Sequence, residues 1–156
     1  MILYLDASAA VKRYVTEPGT AEVRQVIEAS SILGTGLISR AEIAAALAKA
    51  ARMGVLLPDE AKAASEAFRT EWPDFIRIQI TEALVARADS LAWQHGLRGY
   101  DAVHLAAALT WQDGMGEPVT LATFDRRLWE SARQSGLLVF PDDLPAMLHR
   151  AFRKKS

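Results

Sequence analysis

The chain contains no cysteine, which excludes disulfides and any metal site built on thiolates. It has no stretch near the roughly 20 unbroken apolar residues that a bilayer-spanning helix requires. Charge of one sign is also missing. Eighteen Lys and Arg stand against 19 Asp and Glu, leaving a formal net charge of −1 and no global attraction to nucleic acid. Glycine and proline are scattered, with no linker, repeat or low-complexity run. The opening Met1-Ile2-Leu3-Tyr4-Leu5-Asp6 carries no basic leader and meets an acid too early for a signal peptide. We therefore expect a cytoplasmic protein, without membrane contact, held together by packing alone.

What is present suits one domain spanning residues 1–156: 51% hydrophobic residues supply a core, and 24% charged residues supply a surface. Three short basic groups, Lys12-Arg13, Arg126-Arg127 and Arg153-Lys154-Lys155, read by default as solvated faces. Ile2 to Leu5 is a short apolar run, the mark of a buried strand. Further strands are expected over residues 31–38, 75–80 (alternating, so nearer an edge), 119–122 and 137–140. Helices are expected from about Ser8, from position 19, from Ser39 to Gly54, from Pro58 to Glu71, and from Thr81 to Gly96. The run from Tyr100 to Trp111, apolar almost all round, reads as a buried helix. Two more follow, over residues 126–134 and 144–152. Strands alternating with helices predict an α/β domain with a parallel sheet covered on both faces.

Four acids fall at telling places on this map. Asp6 follows the first strand, Glu42 the second and Asp125 the fourth, while Asp101 opens the buried helix. In an open parallel sheet the carboxyl ends of strands and the amino ends of following helices share one edge, where ligands bind. Each acid alone has a plainer reading. Asp6 and Asp125 suit helix caps, Ser39-Arg40-Ala41-Glu42 suits a capping box, and Asp101 suits a helix amino terminus. Gathered together, four carboxylates repel and must bind protons or a cation. Mg²⁺ or Mn²⁺ is the natural choice for oxygen ligands. Such an ion favours phosphodiester hydrolysis by lowering the pKa of a water and stabilising charge on phosphate.

Ser8 and Thr123 sit two residues from Asp6 and Asp125, where a hydroxyl can support a carboxylate or simply close a turn. Arg98 and Arg126 lie near enough to meet a substrate phosphate. His95 and His149 are too scattered to form a site. His104 shares a helical face with Asp101 and reads as a packed core histidine. Trp93, Trp111 and Trp129 fall within helices and read as core, although aromatic stacking is common in RNA binding.

Leu5-Asp6-Ala7-Ser8, Ile38-Ser39-Arg40-Ala41-Glu42, Leu97 through Ala108 around Tyr100-Asp101-Ala102-Val103-His104, and Ala122-Thr123-Phe124-Asp125 occur in a fixed order. In that order they resemble the PIN-domain nucleases, most closely the VapC toxins of bacterial and archaeal toxin–antitoxin pairs, over nearly the whole chain to about Pro141. The resemblance implies a three-layer α/β/α sandwich with a central parallel sheet of four to five strands. It implies a Mg²⁺- or Mn²⁺-dependent endoribonuclease with Asp6, Glu42, Asp101 and Asp125 as the acidic site and Ser8 and Thr123 as helpers. It also implies a homodimer, a small antitoxin partner, and structured RNA such as tRNA or ribosomal RNA as substrate. The segment 113–118 reads as a slightly long loop, and the tail 144–156 has no assigned role. A haloacid-dehalogenase-like phosphatase would need a second Asp where Ser8 stands. A receiver-like domain would need paired acids after the first strand. A PIN nuclease of general RNA processing, or a non-catalytic PIN-like binding module, remains as the alternative; a degenerate module would lack one or more acids.

Overall fold

Strand β1 (Ile2–Leu5) sits at the centre because all four of its side chains are apolar and all four are buried. Alternation sends Ile2 and Tyr4 into one core and Leu3 and Leu5 into the other. A strand of a parallel sheet covered on both faces needs that composition. The computed structural model of the chain describes residues 1–155.

Along the chain, β1 is followed by the short helix α1 (Ala7–Ala10), continued by a 3₁₀ turn over Val11–Arg13, and then α2 (Thr20–Ala29). Next come β2 (Ile32–Gly36), α3 (Ser39–Arg52), α4 (Pro58–Glu71), β3 (Ile76–Ile78) and α5 (Glu82–His95). The chain ends with α6 (Gly99–Met115), β4 (Val119–Ala122), α7 (Arg126–Gln134), β5 (Leu138–Phe140) and α8 (Leu144–Arg153). The five strands form one parallel sheet in the order β3-β2-β1-β4-β5. Helices α5, α6 and α7 pack on the Tyr4 face, and α1 to α4 on the Leu3 face. The expected three-layer α/β/α sandwich is borne out, at the upper end of the expected strand count. From β1 the chain crosses to β2 on one side and later to β4 on the other, so the strand order reverses beside β1. A crevice belongs at that point.

Several local expectations are revised. The third strand is confined to Ile76–Ile78; it is an edge strand, as its alternation suggested. The segment 113–118 is not a long loop, because α6 runs on to Met115 and stops where Gly116 turns left-handed at φ 66°. Trp93 is not core: it is 87% exposed, whereas Trp111 and Trp129 are buried. On α5 the buried face is Leu84, Ala88 and Leu91, and position 93 falls outside that stripe.

Trp111 explains a glycine. It lies over β2, where a Cβ on Gly34 would stand 2.6 Å from the ring and 3.1 Å from the Ile76 carbonyl oxygen. The ring is held in the core, so neither neighbour yields cheaply. Gly34→Ala is expected to lower stability by about 1–3 kcal/mol, read as a lower urea midpoint with unchanged slope; an unaltered midpoint would show that α6 can move away from the sheet.

Candidate active site

Asp6 is the deepest acid. It leaves β1 in extended conformation and caps α1, its Oδ1 accepting the Ala9 N–H at 2.9 Å. The cap accounts for one bond only. The Ser8 hydroxyl donates to the same oxygen at 2.7 Å, and the Thr123 hydroxyl donates to Oδ2 at 2.5 Å. Each hydroxyl also accepts from the β4–α7 loop: Ser8 Oγ from the Phe124 N–H at 3.0 Å, and Thr123 Oγ1 from the Asp125 N–H at 3.1 Å. Two residues that read as turn hydroxyls or helpers thus stitch the β1 loop to the β4 loop through one carboxylate. Asp6 is only 3% exposed, and burial pushes its carboxyl above the usual range. The His104 charge and the Thr123, Ser8 and Ala9 hydrogen bonds offset part of that rise.

Asp125 caps α7, with Oδ1 on the Leu128 N–H at 2.9 Å. Asp101 lies in the first turn of α6. Between them stands Arg98, whose Nη2 donates to Asp125 Oδ2 at 3.1 Å and whose Nε donates to Asp101 Oδ2 at 3.4 Å. Burial raises the Asp101 carboxyl, Asp125 raises it further, Arg98 pulls it down, and Asp6 raises it again. Asp101 thus feels the acids that follow β4 and β1 at the edge where the strand order reverses.

Glu42 occupies the first turn of α3 but makes no capping box. Ile38 stands at the cap position, and Ser39 lies inside the helix with its hydroxyl 2.7 Å from Thr35 Oγ1. Both hydroxyls are buried, and Thr35 also donates to the Leu5 carbonyl at 2.6 Å. With Ser39 so engaged, Glu42 is free to turn to His104, whose Nε2 lies 2.6 Å from Oε1. His104 is buried, as a core histidine should be, yet both ring nitrogens are engaged, Nδ1 lying 2.8 Å from the Tyr4 hydroxyl. Burial lowers its pKa, but the Glu42 bond and the charges of Asp6, Glu42 and Asp101 outweigh that and raise it overall. Tyr4 was legible only as core; its hydroxyl has no sequence signal of its own. Arg126 turns away to Glu130 on its own helix, at 3.0 Å.

The donor set suits a hard divalent cation. Asp101 Oδ1 and Glu42 Oε2 accept no hydrogen bond among the described residues, and the Arg98 guanidinium already stands where positive charge is wanted. Among the described residues no three of the acids and histidines are drawn into a ready cage; with Arg98 spanning Asp101 and Asp125, a cation reaching Oδ2 of either acid competes with that side chain. Arg98 is 80% exposed, so its release costs little.

Acids gathered where the strand order of a parallel α/β/α sandwich reverses define an acidic ligand-binding edge. The PIN-domain family profile matches residues 3–133, and the chain belongs to the PIN-domain family. Ribonuclease VapC49 of Mycobacterium tuberculosis is 35% identical over 144 residues, 92% of this chain and 97% of that protein. Ribonuclease VapC3 of Pyrobaculum aerophilum is 32% identical over 132 residues, covering 83% and 94%. Among solved structures, FitAcB from Neisseria gonorrhoeae shares the fold with a TM-score of 0.62 at 18% identity, over 90% of this chain and 98% of that one.

The raised Asp101 carboxyl has a stability consequence with a definite sign. The folded chain holds that proton more tightly than the unfolded chain does, so stability falls as pH rises through the raised range. Without metal, Asp101→Asn is expected to melt higher than the parent at pH 7, and the gain should vanish as pH drops into the carboxylate range. Differential scanning calorimetry in EDTA at several pH values measures this. A variant that melts lower at pH 7 would mean the Arg98 contact outweighs the repulsion.

Proposed function

We propose that the chain is a metal-dependent endoribonuclease acting as the toxin of a toxin–antitoxin pair. One observation carries the reading: Asp6, Asp101 and Asp125 converge at the switch-point edge, with Glu42 beside them, in a PIN-family chain similar over nearly its full length to named ribonucleases. In this reading Asp6, Glu42, Asp101 and Asp125 hold Mg²⁺ or Mn²⁺, and Ser8 and Thr123 keep Asp6 oriented. The bound ion supplies charge stabilisation at the phosphate and lowers the pKa of the attacking water. Asp6, buried and tied at both oxygens, fixes the depth of the site. Arg98, exposed and held only by acids, is the side chain placed to swing from carboxylate to substrate phosphate. Arg126 is the weaker candidate, since it is occupied with Glu130.

The substrate class is structured RNA of the tRNA or ribosomal type, cut at exposed single-stranded positions, where a base can leave its stack. The antitoxin partner and a homodimeric state rest on the resemblance to VapC toxins. Near-complete mutual coverage with those relatives favours the toxin over a processing nuclease, and the presence of all four acids speaks against a non-catalytic module. Cleavage of structured RNA by the purified chain is expected to require Mg²⁺ or Mn²⁺, to stop in EDTA, and to fall by at least about 100-fold in Asp101→Asn. Cleavage that survives both would place the chemistry elsewhere.

A further inference from the structure

His104 and Tyr4 are the buried polar pair that the acidic site does not itself require. His104 is 2% exposed and Tyr4 is 0% exposed, and a polar group at that depth persists only if its bonds are made. They are made in series. The Tyr4 hydroxyl meets His104 Nδ1 at 2.8 Å, and His104 Nε2 meets Glu42 Oε1 at 2.6 Å. The two rings pack edge-on with centroids 5.9 Å apart, which leaves the imidazole little freedom to turn. The series runs from β1 through α6 to α3, and ends on an acid that accepts no backbone N–H: Glu42 makes no cap bond, unlike Asp6 and Asp125.

Gly36 is part of the arrangement. A Cβ there would stand 2.7 Å from the Tyr4 hydroxyl, so any larger residue pushes on the first link. Glu42 Oε1 is consumed by the contact, while Oε2 accepts no hydrogen bond among the described residues and the side chain is 26% exposed.

We infer that Tyr4 and His104 form a buried positioning device that fixes the Glu42 carboxylate with one oxygen held inward and the other presented to the cation. An Nε2–H donor reaches Glu42 in the neutral Nε2-protonated ring and in the charged ring alike, so the device acts by geometry. A Glu on the first turn of a helix otherwise samples several rotamers, and locking it removes that entropy before the ion arrives. His104 touches neither ion nor RNA; it acts through Glu42. This inference rests on the metal reading above.

The test is Mn²⁺ binding to the RNA-free full chain, read from the free-ion spin-resonance signal, with melting curves in EDTA to certify folding. The wild-type chain reports on the metal reading, and the variants report on the positioning device. His104→Leu is expected to weaken Mn²⁺ affinity by about 10–100-fold, Tyr4→Phe by less, and His104→Gln, which can still donate from its amide, is expected to recover part of the loss. In a Glu42→Gln background, His104→Leu should cost nothing further, because its effect passes through that carboxylate. Folded variants with wild-type Mn²⁺ affinity, or losses that add fully to Glu42→Gln, overturn the inference while leaving the metal reading standing. A wild-type chain that takes up no Mn²⁺ overturns both. Should His104→Leu fail to fold, Tyr4→Phe decides, and unchanged affinity there overturns the inference.

Discussion

The crowding of carboxylates at one partly buried sheet edge is the constraint on which the site depends. Asp6, Asp101 and Asp125 are brought together by a parallel sheet that has no other place to put the ends of β1 and β4 and the start of α6. In water such charges keep apart; at a half-buried edge their interaction is several-fold stronger. The fold meets this locally. Three hydrogen bonds settle on Asp6, an amide bond on Asp125, a guanidinium between Asp101 and Asp125, and an imidazole on Glu42. These offset the repulsion without abolishing it, since burial and the neighbouring acids still raise Asp101. The proposed function rests on the residual demand for positive charge at this edge.

The supports differ in kind, and the difference maps onto depth. Asp6 is held by short side chains and backbone from its own sheet edge, so its place is fixed once β1 and β4 pair. Glu42 reaches the site from a helix on the opposite layer and depends on groups that cross the sheet edge, His104 and Tyr4. Arg98 is the loosest part, exposed and bonded only to acids. Deep donors fixed by the sheet thus stand beneath an outer cation that is exposed and held by acids alone.

Much of the fold was readable because the signals were local and strong. The apolar β1 run, the capping Thr81, the closing Gly96 and the all-round apolar α6 each state one element. The three-layer arrangement came from alternation of elements, and the placing of Asp6, Glu42 and Asp125 after strands, with Asp101 at the start of the buried helix, came from topology. Signals that depend on distant partners were lost. Ser39 and Glu42 fit a capping box in sequence, but Thr35 and His104, 4 and 62 residues away, hold them instead. Trp93 shares a helix with true core positions, and only the packing of α5 puts it outside. His104 was correctly read as buried, yet burial alone does not reveal what its nitrogens grip, and Tyr4 is 100 positions away.

Anomalous scattering from crystals grown with Mn²⁺ tests the central claim most directly. The account predicts a peak among Asp6, Glu42, Asp101 and Asp125, with the Arg98 side chain withdrawn from Asp101 and Asp125. A crevice without a peak, and Arg98 still spanning the two acids at saturating Mn²⁺, would contradict it: the acids would then be neutralised by the protein itself, and the convergence would be structural.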